Sequence, residues 1–187
     1  MKIAFIGQPW EGALPPSSAI PIWNQQVAAR LARTNGVIVY ARRNNHQKAR
    51  EYDGSVTYFL SKRTLDPWTN AAVNRIWGFL PVKHPVYASR LHYLPYSLYV
   101  AKDLQRRKCD IAHIYNFSQF APIIRAFNPD IKIVLNMRCD WLNLIDKKTM
   151  EKRLRHVDMI LGVADYITNN IRRRFPHKAH LCPTVYN

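Results

Sequence analysis

Lys2-Ile-Ala-Phe-Ile6, then Gly7-Gln-Pro-Trp-Glu-Gly-Ala-Leu-Pro-Pro-Ser-Ser18, then the run from Ile22 to Arg33 decide the fold of this chain. The first piece is a short apolar run of strand-forming residues. The second holds two glycines and three prolines, so it cannot continue a strand ladder. In the third, Ile22, Val27, Ala28 and Leu31 return at helical spacing. Strand, loop and helix N-terminus in that order make an anion cradle, with backbone N–H groups and the positive end of the helix dipole facing one point. In open α/β sheets ligands bind there, beyond the C-terminal ends of the strands. Gly7 and Gly12 have P-loop spacing, but Ala13-Leu14 stand where that motif needs Lys-Ser/Thr. No G-x-G-x-x-G follows the strand either, so a nicotinamide cofactor has no support. The loop is also long, since βα connections usually run about 2–6 residues, and long loops at this edge carry function.

The same alternation continues outward. Gly36 to Ala41 and Val56 to Leu60 read as strands, with a basic loop from Arg42 to Asp53 between them. From Ser61 to Pro95 the pattern is poor: helical spacing around Ala71 to Trp77, then Pro81, Pro85 and Pro95. Aromatics there (Trp68, Trp77, Phe79, Tyr87, Tyr93, Tyr96) interleave with Arg75, Lys83 and Arg90. They read as local core, or as a face for lipid headgroups. Leu91, Leu94, Leu98 and Ala101 predict a helix that Pro95 starts or kinks, ending in Lys102 to Lys108, where cations suit the dipole.

After it the spacing predicts strand Asp110–Tyr115, helix Gln119–Phe127, strand Ile131–Met137, a helix carrying Met150, Leu154 and Val157, and strand Asp158–Val163. Asp165 then caps a helix to Arg174, with Ile167 and Ile171 inward, and Ala179–Cys182 is a last strand. Alternating strands and helices imply parallel pairing: an α/β, Rossmann-like, doubly wound parallel sheet flanked by helices, as a single domain.

The 187 residues suffice for one proper core. No apolar run approaches the ~20 residues that span a bilayer, and the N-terminus leads straight into a strand, so the chain reads as cytoplasmic. Cys109, Cys139 and Cys182 form no C-x-x-C pair; they read as reduced thiols, not a zinc site. Lys and Arg outnumber Asp and Glu 28 to 12, a formal charge of +16. Such an excess speaks of partners: nucleic acid, an anionic membrane face or a phosphorylated substrate. The cations cluster at Arg42-Arg43 with Lys48 and Arg50, at Arg106-Arg107-Lys108, at Lys147-Lys148 with Lys152, Arg153 and Arg155, and at Arg172-Arg173-Arg174. Each alone reads as a solvated helix face; together they predict an electropositive surface.

Three segments, Asp110-Ile-Ala-His-Ile-Tyr-Asn116, Lys132-Ile-Val-Leu-Asn-Met-Arg-Cys-Asp-Trp141 and Val163-Ala-Asp-Tyr-Ile-Thr-Asn-Asn-Ile-Arg-Arg-Arg-Phe-Pro176, occur in this order. As an ordered set they resemble the N-terminal, acceptor-binding domain of GT-B glycosyltransferases of family 4. Leu181-Cys-Pro-Thr-Val-Tyr-Asn187 resembles the start of the stretch that leads into that family's second domain. The resemblance implies that residues 1–187 are one half of a hexosyltransferase-type enzyme. The nucleotide-sugar domain is then absent from this chain, and the half alone transfers no sugar. It implies a nucleotide-sugar donor as substrate, no cofactor and no metal, an acceptor glycan or lipid, and attachment to the cytosolic face of an anionic membrane, in polysaccharide biosynthesis. Onto the family's glycine-rich loop fall Gly12, Ser17 and Ser18, although Pro15-Pro16-Ser17-Ser18 departs from its usual Gly-Gly. Many members place a His after the strand ending here at Met137; this chain has Arg138-Cys139-Asp140. Arg138 then clamps an anionic acceptor or donor phosphate and Asp140 orients an acceptor hydroxyl, as the catalytic residues, with a salt-bridged strand end as the alternative. Asn116 and Phe117 are acceptor contacts, while His113, inside its strand, reads as core. No Asp-x-Asp occurs in the sequence, which speaks against the metal-dependent type of transferase. The charge on a leaving diphosphate can be met by Arg, Lys and helix dipoles instead.

Two rivals use the same residues. A basic α/β module binding nucleic acid or another polyanion rests on charge alone, since no helix-turn-helix, RNA-recognition or zinc-finger pattern occurs. A flavodoxin-like signalling domain lacks its acidic cluster and phosphate motifs.

Overall fold

The computed structural model describes residues 1–62, 66–77 and 86–186. Phe79, Pro81, Lys83 and Pro85, which the sequence reading singled out, lie outside the described residues. A seven-stranded sheet runs β3-β4-β2-β1-β5-β6-β7, with β1 Lys2–Ile6, β2 Gly36–Arg42, β3 Arg50–Asp53, β4 Val56–Ser61, β5 Ile111–Tyr115, β6 Lys132–Met137 and β7 Met159–Gly162. All pairings are parallel except β3 with β4. β1, β2 and β4 step outward one way and β5, β6 and β7 the other, so the topological switch point lies between β1 and β5.

Each strand splits its side chains between two apolar layers. Ala4, Ile6, Ile114, Leu135 and Ile160 pack with Val100 and Leu104 of α3 (Leu94–Arg107), Ile124 of α4 (Phe120–Phe127), Leu154 of α6 (Lys147–Leu154) and Ile171 of α7 (Asp165–Arg174). On the other face Phe5, Val39, Tyr58 and Tyr115 pack with Trp23, Val27 and Ala28 of α1 (Ala19–Leu31). Helices α2 (Asp66–Trp77) and α5 (Trp141–Leu144) complete this set. Pro95 does open a helix: it stands in the first turn of α3, where its missing N–H costs nothing. Asp146 caps α6 by accepting from the Thr149 N–H at 2.8 Å.

The structure departs from expectation in four places. Arg50–Asp53 is a strand rather than part of a loop; with Gly54 in the left-handed region (φ 55°) it turns back along β4 as an edge hairpin. Ala164, not Asp165, is the N-cap of α7, and the Asp165 carboxylate instead accepts from the hydroxyls of Thr184 and Tyr186 at 2.6 Å each. Residues Ala179–Cys182 make no strand, because Pro176–Leu181 winds as a 3-10 helix that Pro176 starts. The chain regains the sheet edge only at Thr184, in an isolated parallel bridge to Gly162. Finally, Arg153, whose cluster reads in the sequence as a solvated helix face, is 1% exposed. Among the described residues, no helix is long and apolar enough to cross a membrane.

Candidate functional site

Because the strands are parallel, the Gly7–Ser18 loop, Asn116–Phe117 and Arg138–Asp140 all leave the same edge of the sheet. That edge is not one open mouth, and the loop after β1 shows why. Gly7 donates its N–H to the Tyr40 carbonyl at 2.9 Å, Arg42 donates to the Glu11 carbonyl at 3.0 Å, and Gly12 forms a parallel bridge with Arg42. A Cβ on Gly7 would stand 2.9 Å from the Tyr40 oxygen, and one on Gly12 would stand 3.2 Å from the Asn44 amide nitrogen. Gly7 therefore answers to close approach by the β2 backbone, while at Gly12 the Asn44 side chain would have to give by a few tenths of an ångström.

The expected anion cradle is filled as well. The Ser18 hydroxyl donates to the Glu11 carboxylate at 2.7 Å, which puts a negative charge beside the first turn of α1. The cavity between this loop and α1, lined by Gly7, Gln8, Glu11, Gly12, Pro21 and Asn24 among others, measures about 10 Å³. That is room for roughly one water and not for a phosphate. The buried Asn24 side-chain oxygen lines it without a hydrogen-bond partner among the described residues. Ser17 is exposed.

The predicted catalytic pair is separated. At Asn116 the chain takes φ 56°, which lets the side chain turn back and accept the Arg138 N–H at 2.8 Å, joining the ends of β5 and β6. The half-buried Arg138 guanidinium lies on the α1 face, 4.0 Å from the Trp23 ring centroid, a cation–π contact. Beneath it His113 and Tyr115 stack with centroids 5.0 Å apart. Burial, with the Arg138 charge adding to it, pushes the His113 imidazole down to about 3, and burial pushes the Tyr115 phenol well above its usual value. Both are neutral at pH 7 and enclosed, so His113 belongs to the core, as its sequence position implied.

Asp140 faces elsewhere. It lines a recess of about 380 Å³ with Asn143, Asn170, Arg173 and Arg174. Asn143 donates its amide to the Asp140 carboxylate, and its own side-chain oxygen has no partner among the described residues. Arg174 donates to the Leu142 and Ile145 carbonyls, which fixes α5 against α7.

What joins these parts is aromatic, and sequence reasoning passed over most of it. Trp10 meets Phe117 at 5.2 Å, Tyr93 at 5.9 Å and Trp141 at 6.4 Å between centroids, and Trp141 meets Phe117 at 5.7 Å. Phe117 and Tyr93 are buried; Trp10 and Trp141 are partly exposed. Tyr93 holds φ 59°, a second non-glycine residue in the left-handed region at this edge. The signal was available: Trp10, Phe117 and Trp141 each fall two to four residues after an apolar strand that ends on this edge. Among the described residues no cluster of His, Cys, Asp and Glu could hold a metal ion.

No protein-family model matches the sequence, and no curated protein matches it. Solved structures do share the fold. Two sucrose-phosphate synthase structures from Thermosynechococcus elongatus superpose with TM-scores of 0.53 and 0.59 at 10% and 11% identity, covering 100% and 99% of this chain. An α,α-trehalose-phosphate synthase (UDP-forming) from Burkholderia vietnamiensis gives a TM-score of 0.60 at 13% identity over 99% of this chain. The chain spans 87% of the first structure but only 47% of each of the other two. At such identities the likeness establishes the fold alone, a Rossmann-like α/β domain.

Proposed function

We propose that this chain is the N-terminal, acceptor-binding half of a metal-independent glycosyltransferase. The full enzyme transfers a hexose from a nucleotide-sugar to a lipid-linked or polysaccharide acceptor at the cytosolic face of a membrane. One observation carries the reading: Trp10, Phe117 and Trp141 converge where β1, β5 and β6 end, at the switch point of a parallel sheet. A partly exposed indole floor suits the C–H face of a sugar ring. The Asp140 carboxylate, on the residue before Trp141 and lining the neighbouring recess, suits its hydroxyls. The ordered segments Asp110–Asn116, Lys132–Trp141 and Val163–Pro176, and the fold shared with sugar-phosphate synthases, support the same reading.

In this reading Asp140 orients the acceptor hydroxyl. Arg138 positions Asn116 and the end of α1 rather than gripping phosphate, and Phe117 backs the indoles. Gly12, Ser17 and Ser18 shape the β2 side of the entrance, and the second domain brings donor phosphates to it. The net charge of +16 holds the enzyme on anionic lipid, each Lys or Arg near the surface contributing about 1 kcal/mol.

Calorimetric titration with oligosaccharides tests the reading. Binding is expected in the wild type and is lost in Trp10→Ala and Trp141→Ala. The chain incubated with a nucleotide-sugar and acceptor forms no product until joined to a nucleotide-sugar domain. Tight oligonucleotide binding with no response to any glycan would instead favour the polyanion-binding alternative.

A further inference from the structure

Arg153 heads the fully buried side chains by volume at 1% exposure, and among the described residues no carboxylate bridges it. It donates to the Ser118 hydroxyl at 3.2 Å and to the Ala88 carbonyl, while its Nε has no partner among the described residues. Buried charges are ordinarily paired, because an isolated ion in the interior forfeits its hydration. Burial, with the nearby Arg90 charge adding to it, pushes the guanidinium down to about 10, so it still carries its charge at pH 7.

In front of it lies a recess of about 340 Å³ lined by Ser89, Arg90, Thr149, Lys152 and Arg153. Arg90 and Lys152 are exposed, the first on the segment before α3, the second on α6. Three cations and two hydroxyls thus converge with no acid among the lining residues. Asp146 is the acid whose field reaches Arg153, and it is engaged as the cap of α6.

We propose that this recess is a binding site for a phosphomonoester, the phosphate group of a small phosphorylated molecule. Arg90 supplies the bidentate fork, Lys152 a point charge and Thr149 a hydroxyl donor to the oxyanion; Arg153 stands behind them as a fixed positive charge. A dianion answers this charge count better than a carboxylate. A concave recess of this size encloses one phosphate with a few carbons, whereas a lipid surface or a nucleic-acid backbone asks for a flat or extended basic track. The site stands on its own geometry and does not depend on sugar transfer.

The experiment titrates the full chain with inorganic phosphate, a hexose 6-phosphate, the unphosphorylated hexose and phosphatidylglycerol vesicles at constant ionic strength, following backbone amide shifts by NMR. The expected result is saturable binding of both phosphates, with shifts confined to residues 89–90 and 149–153 and none from the unphosphorylated hexose. Arg90→Gln and Lys152→Gln, both surface changes that leave the melting temperature in place, each weaken binding about tenfold, the scale of one lost charge-assisted contact. The proposal is overturned if shifts spread over the other basic clusters, if either variant binds phosphate like the wild type, or if only vesicles bind.

Discussion

The ring of Phe117 and the indole of Trp10 meet edge-on, centroids 5.2 Å apart, across the boundary between β1 and β5. The contact ties the loop after the first strand to the loop after the fifth at the point where strand order reverses. Its two members carry different loads. Phe117 is 1% exposed and also stacks on Phe120 at 5.1 Å, whereas Trp10 is only partly buried. Phe117→Ala is expected to cost about 3–5 kcal/mol in urea unfolding, the range for buried aromatics. Trp10→Ala is expected to cost no more than about 1–2 kcal/mol while abolishing glycan binding. Equal destabilisation by the two would make Trp10 a core residue and remove the case for a sugar platform.

His113 sets a pH dependence whose sign is fixed. Its folded value lies near 3, against the ordinary 6.5, so the unfolded chain binds the extra proton between those limits. Stability is then greatest above pH 6.5 and falls as the pH drops toward 3. The groups facing His113 are Phe5, Trp23, Tyr115 and the Arg138 charge, none of them a carboxylate that could reverse the trend. His156, also shifted downward by burial and by Arg125, Arg90 and Arg155, adds in the same direction. Urea midpoints measured from pH 7 to pH 4.5 should fall in the wild type. In His113→Gln the slope should shrink by up to about 1.4 kcal/mol per pH unit, the limit for one proton. An unchanged slope in that variant would place the imidazole in contact with water.

Most of the sheet was legible because strand signals are local. Apolar runs such as Ile131–Met137 and Gly36–Ala41 need no tertiary information to be recognised, and their alternation with helices dictates parallel pairing. Arg50–Asp53 was not legible, because Arg-Glu-Tyr-Asp has no apolar pattern and becomes a strand only by pairing with β4. The Ala179–Cys182 error has a similar cause: apolar content alone does not distinguish a strand from one turn of 3-10 helix anchored by Pro176. At the candidate site, sequence placed Asn116, Phe117, Arg138 and Asp140 correctly at strand ends. Which face each side chain would take was beyond it. Arg138 and Asp140 are two residues apart, yet one stacks on α1 and the other opens toward α7.

Gly162 is a site of tight backbone approach. A Cβ there would lie 2.2 Å from the Thr168 hydroxyl oxygen, 3.0 Å from its nitrogen and 3.2 Å from its Cα. The hydroxyl could rotate away, but the backbone of α7 could not without losing the seat of Ile167 and Ile171. Gly162→Ala should therefore destabilise the fold by about 1–3 kcal/mol, as overpacking does, and loosen the Thr184 bridge to the sheet edge. Hydrogen exchange at the Gly162 and Val185 amides, which donate to the Pro183 and Gly162 carbonyls respectively, reads out both effects. Wild-type protection in the variant would show that α7 has room to move.

The hydrogen-bonded group around Asp103 is the clearest case where one atom's removal should be felt far away. The carboxylate, on α3 and 6% exposed, accepts the Tyr40 hydroxyl of β2 at 2.8 Å, Arg106 at 2.5 Å and Arg107 at 2.6 Å. Burial opposes its charge, but the hydrogen bonds from Arg107, Tyr40 and Arg106 outweigh that and hold it below the usual carboxylate value. The same burial and contact push the Tyr40 phenol far above its usual range. Arg107 also lies 3.6 Å over the Phe59 ring, so one group links α3 to both β2 and β4. Asp103→Ala leaves a buried phenol and a partly buried guanidinium without their acceptor, and should cost about 3 kcal/mol. Tyr40→Phe removes one donor and leaves the ion pairs, so about 1 kcal/mol is expected. Because the native carboxylate resists protonation, its contribution is present above the unfolded value of 3.8 and fades as the pH falls below it. The gap between wild type and Asp103→Ala should accordingly narrow in acid. A double-mutant cycle in urea at pH 7 and pH 3 measures the coupling. Additive effects at pH 7 would mean that Tyr40 and Asp103 are held in place by their neighbours and not by each other.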